Sequence, residues 1–197
     1  KNVNGAGIGR RKSAPCPPIR LCVAVASAIS TAKVSAAPMR KAAWGWLGLA
    51  AVVIGLDQLT KLYVDTHLTY GQTLPVFRGL NWVLAYNPGA AFSFLADAGG
   101  WQRFFFAALA LGVSAWLGWL IVRGRESTAM NLAAACIMGG ALGNVIDRFA
   151  YGHVIDFIQV YYANHYWPAF NLADSAICFG AACMVWDSFQ QSRRAAH

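Results

Sequence analysis

The stretch FFFAALALGVSAWLGWLIV, residues 104–122, runs for nineteen residues without a charge or a proline. A helix rises 1.5 Å per residue, and about 20 apolar residues span the hydrocarbon core of a bilayer. A soluble helix would need a polar face, and this stretch has none. It reads as a transmembrane helix, and three more segments match it in kind. AAWGWLGLAAVVIGL covers 42–56 and continues through DQLTKLYV to Val64. AMNLAAACIMGGALGNVI covers 129–146, and LADSAICFGAACMVWDSF covers 172–189. The expected spans are therefore about 42–64, 104–122, 129–147 and 172–190.

The composition agrees. Hydrophobic residues make up 57% of the 197 residues and charged residues only 12%, against about 25% charged in a typical soluble domain. The formal net charge of +8 is unevenly placed. Residues 1–38 hold six basic residues and no acid, while 39–197 hold ten basic and eight acidic residues. The basicity thus belongs to the leader, and no basic, aromatic-studded face supports nucleic-acid binding. Residues 1–38, rich in Gly, Ser, Ala and Pro, read as a disordered or non-native extension, with Met39 as the native start. A targeting leader is the other reading, since Leu21 to Ile29 is modestly apolar. Residues 39–197 form the membrane domain in either case.

Lys and Arg placement sets the orientation. Arg40 and Lys41 precede the first span, Arg123 and Arg125 sit between the second and third, and Arg193 and Arg194 follow the fourth. Four spans put all three places on one side, expected to be cytoplasmic, with both termini inside. The longer connections, 65–103 and 148–171, then face outward. LNWVLAYNPGAAFSFL (80–95) and HVIDFIQVYY (153–162) are rich in aromatic and β-branched residues, which favour strands. The expected architecture is an all-α membrane core of four transmembrane helices with a small extracytoplasmic β-rich platform.

The ionisable residues gather at one level. Asp57 and Lys61 stand i, i+4 at the outward end of the first span, in the order that suits an ion pair. Asn144, Asp147 and Arg148 close the third span, and Asn171 and Asp174 open the fourth. Asp187, at the cytoplasmic end, reads as a charge solvated by the interface, and Asp65 and Asp97 as solvated loop acids. Asp57–Lys61 and Asp147–Arg148 also fit a plain pairing role. Asp156 differs. It lies between Ile155 and Phe157, with no Lys or Arg within seven positions. Unpaired acids at membrane depth are costly and point to function. Two carboxylates held together share a proton, which allows one to draw a proton from water while the other hydrogen-bonds a peptide carbonyl.

Other chemistries lack support. There is no CxxC, HExxH or GxSxG, and the Cys and His residues show no zinc spacing. Cys136, Cys178 and Cys183 read as small buried hydrophobes. A transporter or proton channel and a non-enzymatic scaffold remain as competing readings of the acids. The first is disfavoured by the absence of an inverted repeat or a broken helix pair.

Five motifs in order, DQLTK (57–61), NPGAAFSFL (87–95), GGALGNVIDR (139–148), GHVIDFI (152–158) and FNLADS (170–175), carry a resemblance. The chain from about Met39 to Arg194 resembles the bacterial lipoprotein signal peptidases (signal peptidase II), membrane aspartic proteases. The resemblance implies catalytic aspartates at Asp156 and Asp174. It implies supporting or substrate-binding roles for Asp57, Lys61, Asn87, Asn144, Asp147, Arg148 and Asn171. It implies no metal and no cofactor. The implied substrate is a diacylglyceryl-modified prolipoprotein, cut just before the lipidated cysteine at the outer face of the inner membrane. The implied inhibitor is the cyclic peptide globomycin. Membrane lipid is the expected surrounding partner, nucleic acid is not expected, and a single chain suffices for the site. Pro88 departs from the family pattern, which often has threonine there.

Overall fold

The computed structural model describes residues 41–89 and 101–195. The leader, Met39, Arg40, the part of NPGAAFSFL beyond Gly89, and Asp97 lie outside the described residues. Among the described residues four helices are long and apolar enough to cross a membrane: α1 Lys41–His67, α2 Gln102–Arg123, α3 Thr128–Ala150 and α4 Leu172–Ala195. Four strands accompany them: β1 Thr73–Phe77, β2 Leu80–Asn87, β3 Val154–Tyr162 and β4 His165–Tyr166. The protein is a four-span membrane protein with a small antiparallel sheet. The sheet joins the ends of α1 and α3 to the start of α4.

The helix α3 is the centre. In its most apolar window 67% of residues are buried in protein, against 22%, 22% and 17% for α1, α2 and α4. The other three helices turn most of their surface outward, including Trp44, Phe105, Trp116 and Trp186, as lipid-facing helices do. The motif GGALG explains how α3 gets so close to its neighbours. A Cβ at Gly139 would stand 2.8 Å from the Ala50 carbonyl of α1. One at Gly140 would run into the Ala173 carbonyl of α4. Small residues at helix contacts let backbones approach, the usual basis of packing where lipid removes the hydrophobic drive.

The α2–α3 turn is built from caps. Gly124 ends α2 in the left-handed region, φ 61°, and its N–H donates to Leu120 O and Ile121 O. Ser127 starts α3 by accepting from Met130 N at 3.0 Å. Ser127 Oγ also donates to Asp187 of α4 at 2.7 Å, and Gln191 Nε2 donates to the same carboxylate at 2.7 Å. Asp187 is therefore buried, 8% exposed, and not solvated by the interface as its position at a helix end suggests. It ties α4 to the first turn of α3. Asp65 is also not in a loop. It lies in the last turn of α1 and accepts from Tyr86 Oη at 2.8 Å.

The sheet order is β1-β2-β3-β4. In the β2–β3 pair Ala85 faces Asp156, and Asn87 faces Val154. A register shift between Trp82 and Ala85 sets this alignment. One face of the pair is sealed by Val64, Leu68, Leu84, Ile155 and Phe157. That packing docks the sheet on the end of α1. Of the three cysteines in the spans, Cys136 is buried, Cys183 is intermediate and Cys178 is exposed. Reading all three as buried fails at Cys178 because α4 packs on protein along one side only.

Candidate active site

The polar ends of α1, α3 and α4 meet in one buried network. Lys61 Nζ lies 2.7 Å from Asp57 Oδ2 and 2.7 Å from Asp147 Oδ2. It donates a third bond to Asn144 Oδ1 at 2.9 Å. All three of its hydrogens are thus directed, and the residue is 1% exposed. One cation between two carboxylates leaves a net negative cluster, which hydrogen bonds must steady. Gln58 does much of this, donating to Asp147 Oδ1 at 2.8 Å and Gly143 O at 3.2 Å. Asp57 Oδ1 accepts the Ala173 backbone N–H of α4 at 2.9 Å, so an acid of one span caps the start of another. The dipole at that helix end favours the negative charge.

Asn171 completes the cap. Its Oδ1 accepts from Asp174 N at 2.9 Å, the N-cap arrangement that a short amide side chain provides. Its Nδ2 points the other way, to Asp156 Oδ1 at 2.8 Å, Asn144 Oδ1 at 3.2 Å and Ile155 O at 3.3 Å. Asn144 in turn donates to Asp174 Oδ1 at 2.8 Å. Asp156 accepts a further bond from Asn87 Nδ2 at 3.2 Å. Asn87 Oδ1 accepts from Gly89 N at 3.1 Å, so one amide both closes the turn at Pro88 and holds Asp156. Pro88 supplies no N–H to compete.

The network opens into a cavity of about 760 Å³. Asn87, Gly89, Arg148, Asp156, Phe170 and Asp174 are among its lining residues. Arg148 donates to Asn144 O at 3.1 Å and its guanidinium lies 5.8 Å from the Phe106 ring centre. Burial raises the Asp156 carboxyl to about 7, helped by the negative charge of Asp174 and opposed by bonds from Asn87 and Asn171. An acid that holds its proton near neutrality beside a second acid on the same cavity wall is an arrangement suited to acid–base chemistry. Among the described residues no His, Cys and acidic cluster suited to a metal is found.

The structure brings Asp57, Lys61, Asn87, Asn144, Asp147, Arg148, Asp156, Asn171 and Asp174 into one network around this cavity. Within it Asp147 is paired with Lys61, whereas Arg148 turns to the Asn144 carbonyl. Gln58 is the member that sequence reading missed. Its only signal is an amide beside Asp57 in an otherwise apolar helix.

A family model described as signal peptidase (SPase) II matches residues 49–190. The chain belongs to the signal peptidase II family. It is accordingly a membrane protease of aspartic type, which sets aside the transporter and scaffold readings. The lipoprotein signal peptidase of Chromobacterium violaceum is 64% identical over 151 residues, 76% of this chain and 93% of that one. That of Acinetobacter baumannii is 53% identical over 145 residues, 73% and 82% of the two chains. That of Cupriavidus pinatubonensis is 50% identical over 149 residues, 76% and 85%. A solved bacterial membrane enzyme, determined in meso at 2.3 Å, superposes with a TM-score of 0.68 at 27% identity. The match covers 75% of this chain and 89% of that chain. The signal peptidase II resemblance drawn from five motifs is thus matched across the four spans.

Proposed function

We propose that this signal peptidase II removes the signal peptide from diacylglyceryl-modified prolipoproteins, cutting just before the lipidated cysteine, with Asp156 and Asp174 as the catalytic pair. The observation that carries the reading is one cavity walled by both aspartates, each held by an asparagine, at the boundary end of the spans. Asp174, held by Asn144, takes a proton from water as the water oxygen attacks the scissile carbonyl carbon. Asp156, which keeps its proton near neutral pH, gives it to the carbonyl oxygen. Collapse of the tetrahedral intermediate breaks the C–N bond. The leaving nitrogen takes the proton that Asp174 drew from water and becomes the free amine of the lipidated cysteine, while a hydroxyl proton of the collapsing diol returns to Asp156. The signal peptide leaves as a carboxylic acid. No side-chain nucleophile and no metal enters these steps.

The lipid chains of such a substrate stay in the bilayer while its peptide reaches the cavity mouth. Arg148 and the Asn87–Gly89 turn are placed to bind substrate main chain. The basic residues at the other ends of the spans support cytoplasmic termini and a site at the outer face of the inner membrane. One chain supplies every group named, which supports a monomeric enzyme, and globomycin-type peptides would compete for the same cavity.

The test is cleavage of a synthetic diacylglyceryl-modified prolipoprotein by purified wild type, Asp156→Asn and Asp174→Asn. Both variants are expected to fold and to lose at least about a thousandfold in turnover, the scale of removing a general acid or base with its partner. Retained cleavage by either folded variant would falsify the pair.

A further inference from the structure

Asn87, a donor to Asp156, is the last residue of β2. The ends of elements fray first, and Pro88 beyond it has no N–H to pair. The hold on this end of β2 comes from the residue before it. Tyr86 faces Ile155 across the β2–β3 pair, while Asn87 faces Val154. Successive strand residues point to opposite faces. Asn87, Val154 and Asp156 thus share the cavity face. Tyr86 shares the other face with Ile155, which packs with Val64 and Leu68 of α1.

Tyr86 is held on three sides. Its hydroxyl donates to Asp65 Oδ1, in the last turn of α1, at 2.8 Å. Its ring stacks on Tyr70, centres 5.1 Å apart, and lies 4.3 Å from the His153 ring just before β3. Asp65 has no cation within 4.0 Å among the described residues, so its charge is directed to the phenol. A hydrogen bond to a carboxylate is about twice as strong as one between neutral groups. The same bond keeps the phenol proton in place by raising the Tyr86 hydroxyl above its ordinary range. Tyr86 is 36% exposed, and the two ring contacts keep the hydroxyl on Asp65 despite the access of water.

We infer that Tyr86 is a positioning residue for the reaction: through Asp65 it pins the end of β2 to α1, so that Asn87 stays on Asp156. Asn87 Nδ2 favours the ionised form of Asp156 and works against the burial that raises this acid. A displaced Asn87 leaves Asp156 protonated to higher pH and less well oriented. The other charged groups around Asp156 are Asp174 of α4, Lys61 of α1 and Arg148 of α3. None of them is among the partners of Tyr86, which are Asp65, Tyr70 and His153.

The test measures kcat, KM and the pH–rate profile of the full chain on a synthetic diacylglyceryl-modified prolipoprotein. Tyr86→Phe removes the hydroxyl and keeps both ring contacts, so the titration of His153 is common to variant and wild type. It is expected to lower kcat about five- to tenfold, the scale of one lost hydrogen bond, with little change in KM. Its alkaline limb should move to higher pH. Asp65→Ala should match it, and Asp65→Asn, which keeps an acceptor for the phenol, should recover most of the loss. Asn87→Ala should move the limb the same way, and adding Tyr86→Phe to it should change nothing further. Tyr162→Phe, at an exposed tyrosine of β3, should behave as wild type. A wild-type kcat and limb in Tyr86→Phe would overturn the inference. So would a rise in KM alone, or a loss that adds to that of Asn87→Ala. Tyr86 has this role only where Asp156 is the proton donor. An active Asp156→Asn variant defeats that reading, whereas an inactive one beside an unchanged Tyr86→Phe defeats the role of Tyr86 alone.

Discussion

Asn171 donates its side-chain N–H to Asp156 Oδ1 at 2.8 Å, and the two residues are 0% and 3% exposed. The contact joins the first residue before α4 to the third residue of β3, so it fixes a helix start against a strand. The other end of the same amide accepts from Asp174 N at 2.9 Å. One side chain thus sets the position of both acids. Asn171→Ala should lower kcat by about 10- to 100-fold through misplacement, and the lost cap should cost about 1 kcal/mol of stability. Turnover of a lipidated substrate and the thermal midpoint in detergent measure the two effects separately.

The pH response follows from Asp156. Its carboxyl, ordinarily near 3.8, is held at about 7 by burial and by Asp174. The folded protein therefore binds more protons than the unfolded chain between those values. The contribution to stability is complete below about pH 4 and is lost as pH rises toward 7, by up to about 1.4 kcal/mol per pH unit. Asp156→Asn should flatten this slope and raise the thermal midpoint at pH 8. Wild-type activity should fall as pH rises past 7, as the proton donor is lost. A pH–rate profile and a pH series of thermal melts check both limbs.

Lys61 holds two buried carboxylates at 2.7 Å each. Removing one member of a buried ionic group strands the rest, at about 3–5 kcal/mol. Lys61→Met should lose stability on that scale, while Lys61→Arg, too large and planar for three convergent acceptors, should recover only part of it. Chemical unfolding in mixed micelles ranks the three proteins.

At Gly143 a Cβ would lie 2.6 Å from Asp57 Oδ2. Gly143→Ala should force Asp57 off the Ala173 N–H and destabilise by about 1–3 kcal/mol, with activity falling as the start of α4 shifts. At Gly112, where a Cβ meets nothing within 4 Å, the same exchange should be near neutral. Paired thermal midpoints test the contrast.

Much of this was legible in the chain. The four apolar runs locate α1 to α4 to within a few residues, because length and the lack of charge are enough to define a span. The level at which Asp57, Lys61, Asn144, Asp156 and Asp174 gather was also readable, since alternation of four helices leaves one end for them. Their partners were harder. Asp147 and Arg148 are neighbours in sequence, yet Asp147 turns to Lys61 and Arg148 to the Asn144 carbonyl, since adjacent helical residues point in different directions. Gln58 carries no charge and so draws no notice, although it spans Asp57, Gly143 and Asp147. Asp187 looked like an interfacial acid because its partner, Ser127, lies 60 residues away.

The central burial of α3 has a consequence for biogenesis. Alone in lipid, this helix would carry Asn144 and Asp147 without their present side-chain partners from α1 and the start of α4, which is costly. It is comfortable only when Lys61 has arrived from α1 and the start of α4 has closed over Gly140. The last span to be synthesised therefore completes the shelter of the third. A nascent chain that stops before Leu172 is expected to leave Asn144 and Gly140 of α3 uncovered, which limited proteolysis of truncated chains would reveal.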